Sequence, residues 1–302
     1  MVRVAGAGGT RGRVILGRSG FAKPQAAAEA GRELDEAGPG RSNGPTAMST
    51  TRSNTDPEEP ATASGPVYHR AVLKISGEAF CKPGQFGIDG EELELIAREI
   101  AAAAGVGTQL AVVVGGGNMI RGATLAKQGR IDQATADYMG MLGTAINGLA
   151  LKERLQGLGQ PARVLSAINL SAVAETFIRG RAIRHLEKGR VVIFVAGTGN
   201  PFFTTDSAAS LRAAEIGADV LLKATKVDGV YDKDPHQHDD AVRFEKLTFS
   251  EAIARQLKVM DVAAFSMCRD HRIPLVVFDM KAPGHIAEVV SGKPHGTRVE
   301  VD

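Results

Sequence analysis

The chain has 302 residues, with 36 lysines and arginines against 34 aspartates and glutamates and 43% hydrophobic residues, enough to bury a sizeable core in one large domain or two small ones. Its formal net charge of +2 implies no general attraction to nucleic acid or to an anionic membrane, so any bound anion must be held locally. No apolar run approaches the roughly 18 residues of a membrane span, and two cysteines, Cys81 and Cys268, exclude a disulfide framework and fit a reduced, cytosolic compartment.

Residues 1–66 are rich in Gly, Ala, Ser, Thr, Pro and Arg, and their one apolar patch is Val14, Ile15 and Leu16, so a disordered extension is expected there. Arg3, Arg11, Arg13, Arg18 and Lys23 precede the first acid, which superficially resembles an organellar transit peptide. The preferred reading is a translation start at Met48, with Ser49 to Pro66 as a short polar lead into the first strand. An RNA-binding arm is disfavoured, because eight basic residues face seven acidic ones over residues 1–66.

A single domain is expected over 67–302. Short apolar runs predict strands at Ala71 to Ile75, Leu110 to Val114, Arg163 to Leu165, Val191 to Val195, Val220 to Lys223 and Leu275 to Phe278. Most lack polar alternation, as in strands covered on both faces, and they alternate with helical patterns, so an α/β fold with a largely parallel sheet is predicted. Asp89 and Glu92 have capping-box spacing ahead of Leu93, Ile96, Ala97 and Ile100. Met139, Leu142, Ile146 and Leu149 are expected to mark the core face of a second helix.

Neither a P-loop nor a GxGxxG fingerprint follows a strand. Three glycine-bearing loops do: Lys74-Ile75-Ser76-Gly77, Gly115-Gly116-Gly117-Asn118 with Arg121, and Ala196 to Pro201. In a parallel sheet all three lie at the carboxyl edge and converge on one cleft. Glycine allows close backbone approach, successive amides face outward, and Lys74 and Arg121 add charge, so the set suits phosphate. Asp137, just ahead of the helical apolar face, fits either a ligand contact or the helix dipole. Asp206 is as readily a helix N-cap as a catalytic group. The polar loop from Lys223 to Tyr231, followed by Asp234, can clasp a nucleoside or merely turn the chain. His236, His238, Asp239 and Asp240 read as a solvated turn, the cysteines have no redox or nucleophilic role, and no side-chain metal site is expected.

The runs LKISGEA (73–79), GGGNMIRG (115–122), AGTGNPFFTTDSAA (196–209) and LLKATKVDGVYDKDP (221–235) together resemble the bacterial uridylate (UMP) kinases of the amino acid kinase family, in family order. The resemblance covers the chain from Tyr68 onward. It implies a three-layer αβα sandwich with a central, mainly parallel sheet, transfer of the γ-phosphoryl of ATP to UMP, Mg²⁺ held mainly by nucleotide phosphates, and a homohexamer activated by GTP and inhibited by UTP. By the same resemblance Lys74, Ile75, Ser76, Gly77, Gly117 and Arg121 meet the ATP phosphates, and Thr225, Tyr231 and Asp234 the ATP nucleoside. Gly116 and Asp137 contact UMP, and Thr198, Gly199, Asn200, Pro201, Phe202, Phe203, Thr204 and Thr205 wrap its phosphate and uracil. Asp261 joins Lys74 and Arg121 in organising catalysis. Lys82, Pro83, Gly84, Gln85, Phe86 and Gly87 match the GTP-responsive region. The alternatives are a related kinase with a carboxylate or carbamate acceptor, which leaves a nucleoside-sized pocket unexplained, and a metal-oxide storage relative, which should lack the cationic pair. Neither a nucleic-acid nor a membrane partner is implied, and a cytoplasmic location is expected.

Overall fold

A computed structural model describes residues 66–120, 129, 131–235, 237–257, 259–280 and 283–302. They belong to the unit Glu59–Asp302. The expected disorder of residues 1–65, the phosphate contact assigned to Arg121, and His236 lie outside the described residues.

The expected strands form with bounds extended by at most two residues: β1 Arg70–Ile75, β2 Gln109–Val114, β3 Ala162–Ser166, β5 Val191–Val195, β6 Val220–Thr225 and β10 Leu275–Asp279. Added to them are short strands without an apolar run of their own, β4 Glu175–Thr176, β7 Val230–Tyr231, β8 Arg243–Phe244, β9 Lys246–Thr248 and β11 Thr297–Glu300. The main sheet runs β4-β3-β5-β2-β1-β6-β10-β11-β9, and β7 and β8 pair separately. In the main sheet β10/β11 is the antiparallel ladder among the described residues, and the others are parallel.

The helices are α1 Gly90–Gly105, α2 Gln133–Gly157, α3 Arg179–Glu187, α4 Thr205–Ile216, α5 Phe249–Ala254, α6 Val262–Asp270 and α7 His285–Val290, with a 3₁₀ turn at Gly77–Phe80. Two apolar cores lie on opposite sheet faces. Leu73, Ile75 and Leu222 pack in one with Ile96 and Ile100 of α1; Val72 and Leu221 pack in the other with Ala209 and Ala213 of α4. This three-layer arrangement agrees with the expected fold. Strand alternation therefore turns Lys74 and Lys223, next after Val72 and Leu221 on their face, toward the α4 side. No helix among the described residues is long and apolar enough to cross a membrane.

Two local expectations change. Asp89 caps α1 by accepting from the Glu91 and Glu92 N–H groups, at 2.9 and 3.2 Å, but its own N–H donates to the Phe80 carbonyl at 2.8 Å. The Glu92 half of the capping box is thus replaced by a tie to the preceding turn. Helix α2 is rotated from the expected face: Leu142 and Ile146 are 48% and 50% exposed, while Met141, Ala145, Leu151 and Leu155 are buried. The reason is steric. A Cβ on Gly148 would stand 2.3 Å from Val195 Cγ1, so the helix seats its small-residue face against the sheet.

Candidate active site

Lys74 and Lys223 are neighbours in the β1/β6 register. Asp206, in the first turn of α4, forms ion pairs with Lys74 at 2.8 Å and Lys223 at 2.7 Å. All three side chains are largely buried, at 11%, 13% and 14% exposure for Lys74, Lys223 and Asp206. Burial by itself would raise the Asp206 carboxyl, but the two ammonium groups outweigh it and hold the acid below its ordinary range. Burial pulls Lys223 below the usual lysine range, Lys74 adds repulsion, and Asp206 opposes the shift. Lys223 also donates to the Val259 carbonyl.

Asp206 is not the N-cap. Thr204 fills that place, its hydroxyl oxygen accepting from the Asp206 and Ser207 N–H groups at 3.0 and 3.4 Å. The Thr204 hydroxyl donates to Asp261, and Ser207 Oγ does so at 2.9 Å. Asp261 caps α6 by accepting from the Ala264 N–H at 2.7 Å. It therefore ties the start of α4 to that of α6.

The glycine loops meet as expected, with different duties for different glycines. A Cβ on Gly77 would stand 2.5 Å from the Gly117 nitrogen, and one on Gly115 2.5 Å from the Gly77 nitrogen, so these glycines let two loops interlock. Gly117 has open space at its Cα and is the position a ligand can approach. Ile75 is buried and its carbonyl accepts from the Gly115 N–H at 2.9 Å, while Ser76 caps the 3₁₀ turn. From α2, Asn147 donates to the Gly115 carbonyl at 2.8 Å and to Asn118 Oδ1 at 2.7 Å. Thr144 Oγ1 accepts from the Ala196 N–H at 2.7 Å. One helix thus sets both the β2 and β5 loops.

Gly116, Gly117, Asp137, Thr198, Phe203, Thr204 and Thr205 line a cavity of about 340 Å³. Asp137 lies within α2, ahead of Met139 as expected, with Asp132 as the N-cap. Its oxygens accept from Gln133 Nε2 at 2.7 Å and from the Phe202 N–H at 2.8 Å. Gly199, Asn200, Pro201 and Phe202 continue the loop outside that lining. Thr198 Oγ1 accepts from the Asn200 N–H at 3.2 Å, and Phe202 holds a φ of 70° with 75% of its surface exposed, a strained, open conformation for an aromatic residue.

A second cavity of about 620 Å³ is lined by Lys223, Thr225, Tyr231 and Asp234 among others. The Thr225 hydroxyl closes a local turn with Val227, and Tyr231 donates to Asp228 at 2.6 Å. A third, of about 310 Å³, joins Lys74, Ser76, Lys223 and Thr225 to Cys81 and Pro83. In segment 82–87, Lys82 pairs with Glu91 at 2.7 Å, Gly84 has a φ of 77°, the Gln85 carbonyl accepts from Cys81 Sγ at 3.2 Å, and Phe86 is 72% exposed. Gly87 is bound in both directions to Asn118, so this segment is tied directly to the triple-glycine loop. Cys81 and Cys268 are both buried; burial pushes the Cys268 thiol up to about 11, which leaves it a poor nucleophile at neutral pH.

The family model described as the amino acid kinase family matches residues 69–279. The chain belongs to the amino acid kinase family. Within this family it is 56% identical over 233 residues to a protein of Xanthomonas campestris pv. campestris named uridylate kinase, covering 77% of this chain and 97% of that one. Among solved structures, UMP kinase from Bacillus anthracis superposes with a TM-score of 0.76 at 38% identity, covering 78% of this chain and 97% of that one. UMP kinase from Ureaplasma parvum gives 0.73 at 39%, covering 77% and 98%.

For an amino acid kinase family chain, the informative omission from the sequence expectation is Lys223. It is a lysine in an apolar strand ending in a polar turn, the same signal that marks Lys74, but its alignment with Lys74 and Asp206 depends on β1 and β6 pairing across more than a hundred residues. Two ammonium groups on one carboxylate leave a net positive charge in a largely dry position, which suits an anion whose charge is being redistributed.

Proposed function

We propose that the chain transfers the γ-phosphoryl group of ATP to UMP, giving ADP and UDP, as an enzyme of pyrimidine nucleotide biosynthesis. The observation that carries this reading is the Lys74–Asp206–Lys223 cluster at the junction of two cavities. Lys223 lines the one that holds Thr225, Tyr231 and Asp234, and Thr204 and Thr205, just before Asp206, line the one that holds Asp137. The names of its relatives describe the same activity.

The acceptor is a phosphate monoester, mostly ionised at neutral pH, so no hydroxyl proton has to be removed and no general base is needed. An oxygen of the UMP phosphate bonds to the γ-phosphorus as the bond from that phosphorus to the β,γ-bridging oxygen breaks, and ADP departs with the electron pair. Lys74 and Lys223 offset the repulsion between the two anions and follow the charge on the transferring oxygens, while Asp206 holds both ammonium groups in place. The Asp206 and Asp261 oxygens are already engaged by lysines, hydroxyls and an amide, which fits Mg²⁺ arriving on the nucleotide phosphates with few protein ligands. Lys74, Ser76, Gly77 and Gly117 serve the ATP phosphates, Thr225, Tyr231 and Asp234 the ATP nucleoside, and Gly116, Asp137 and the 198–205 loop UMP. Arg121 completes the donor site.

Regulation and assembly follow the same reading: a cytoplasmic homohexamer, activated by GTP through segment 82–87 and inhibited by UTP. Its support is the Gly87–Asn118 tie and the exposed stripe of Tyr138, Leu142 and Ile146 on α2. A coupled assay with MgATP and, in turn, UMP, CMP, aspartate and glutamate derivatives tests the reading. UMP should be turned over with much the highest kcat/KM; turnover of a carboxylate acceptor in its place, or of none, would overturn it.

A further inference from the structure

We propose that His285, Glu288 and His295 form a binding site for a borderline divalent metal ion, Zn²⁺ foremost. One ligand atom of each lies within 4.8 Å of those of the other two. His285 opens α7, Glu288 lies one turn later on the same face, and His295 stands in the turn before β11. None of the three is used in the phosphoryl transfer above. Spacings of three and seven residues match no familiar ligand motif, so the group becomes visible only when the chain folds back after α7.

Each ligand is held in a state suited to a cation. His285 Nδ1 lies 2.9 Å from the Asp279 carbonyl; a carbonyl only accepts, so Nδ1 donates and Nε2 is the nitrogen left to meet a cation, an outer-shell arrangement common to metal-bound histidines. The N–H of Gly284, just before it, donates to Glu99 Oε1 at 2.8 Å, which fixes the start of the helix. Lys293 takes Glu288 Oε1 at 2.8 Å, leaving Oε2 directed at His295 Nε2, 2.6 Å away. The two imidazole rings are 4.4 Å apart at 31°, so both histidines face the same small space. A cation placed among the three would take the place of the direct His295–Glu288 contact.

Two imidazole nitrogens and one carboxylate oxygen, with water as the fourth ligand, suit tetrahedral Zn²⁺ and do not suit Mg²⁺, which prefers an all-oxygen octahedron. Bound there, the ion would join the start of α7 to the segment before β11 and brace the antiparallel β10/β11 ladder.

The test uses the full chain, stripped with a chelator and titrated with Zn²⁺ against a chromophoric zinc indicator in excess Mg²⁺. The expected result is a site of one equivalent, a zinc-dependent rise in Tm, and visible absorption typical of tetrahedral coordination when Co²⁺ replaces Zn²⁺. His285→Ala combined with His295→Ala should weaken that site by roughly 10- to 100-fold or more, taking the effect of lost outer-shell groups as a floor, and should abolish the Tm rise. His295→Gln, in a surface turn, provides the same comparison if the double variant does not fold. Unchanged zinc affinity in His295→Gln, or no uptake by the wild type, would overturn the proposal.

Discussion

Lys74, Asp206 and Lys223 form a unit in which every member depends on the others. Lys74→Ala should remove a preorganised charge without removing the fold, since Asp206 keeps Lys223: kcat at saturating ATP and UMP should fall by about 10² to 10³, or roughly 2.7 to 4 kcal/mol, in a protein that still melts cooperatively, at a Tm lowered less than in Asp206→Asn. Asp206→Asn behaves differently, because it leaves two largely buried ammonium groups facing each other. Breaking a buried pair costs roughly 3 to 5 kcal/mol, so denaturant titration at neutral pH should report a loss of that order together with lost activity. The pH dependence has a definite sign. The Asp206 carboxyl is held below its ordinary value of 3.8, so its contribution is present above that value and lost as pH falls through the lower, folded-state one. The stability gap between wild type and Asp206→Asn should therefore be constant near neutrality and close in acid. Asp137→Asn should raise the UMP KM far more than the ATP KM, since a charge-assisted contact is roughly twice as strong as a neutral one. Equal effects on the two substrates would confine Asp137 to its bonds with Gln133 and Phe202.

Helix α2 shows why elements with small residues are hard to orient from a pattern alone. Its apolar residues at 139, 142, 146 and 149 have helical spacing, and the stripe they mark is partly exposed because Thr144, Asn147 and Gly148 face inward instead. Two of these inward residues hold the loops after β2 and β5, and the third permits close approach to Val195. Gly148→Ala should therefore destabilise the fold despite the better helix propensity of alanine: overpacking costs typically about 1 to 3 kcal/mol, against about 1 kcal/mol gained from propensity. A lower Tm, with UMP KM raised as the loops shift, is the expected outcome. An unchanged or higher Tm would mean that β5 yields freely to the added methyl group.

At the scale of the whole molecule, the site exists because β5, β2, β1 and β6 are consecutive in the sheet and parallel. Their carboxyl ends lie side by side, and the loops that follow β1, β2 and β5 meet there with the lysines of β1 and β6. The family match begins at residue 69, and relatives are covered over 97% of their length by 233 residues of this chain. A chain beginning at Met48 should accordingly fold, melt and turn over as the full chain does, which a side-by-side assay and melting curve would check. Loss of active protein would assign residues 1–47 a part in the enzyme.

The six main strands, the parallel sheet and the three glycine loops were legible in the sequence because they depend on local chemistry: β-branched runs that are apolar on both faces, and glycines where the chain must turn tightly. Lys74 could be recognised for the same reason, as a charge at the end of such a run. Tertiary structure alone decided what faces what. It turned α2 by steric fit at Gly148, set the Asp206 carboxylate between the two lysines, joined Lys223 to Lys74 through strand register, and gathered His285, Glu288 and His295 around the turn after α7. These outcomes depend on contacts between segments distant in the chain or on the rotation of an element about its own axis, and neither is encoded by spacing within a single stretch of sequence.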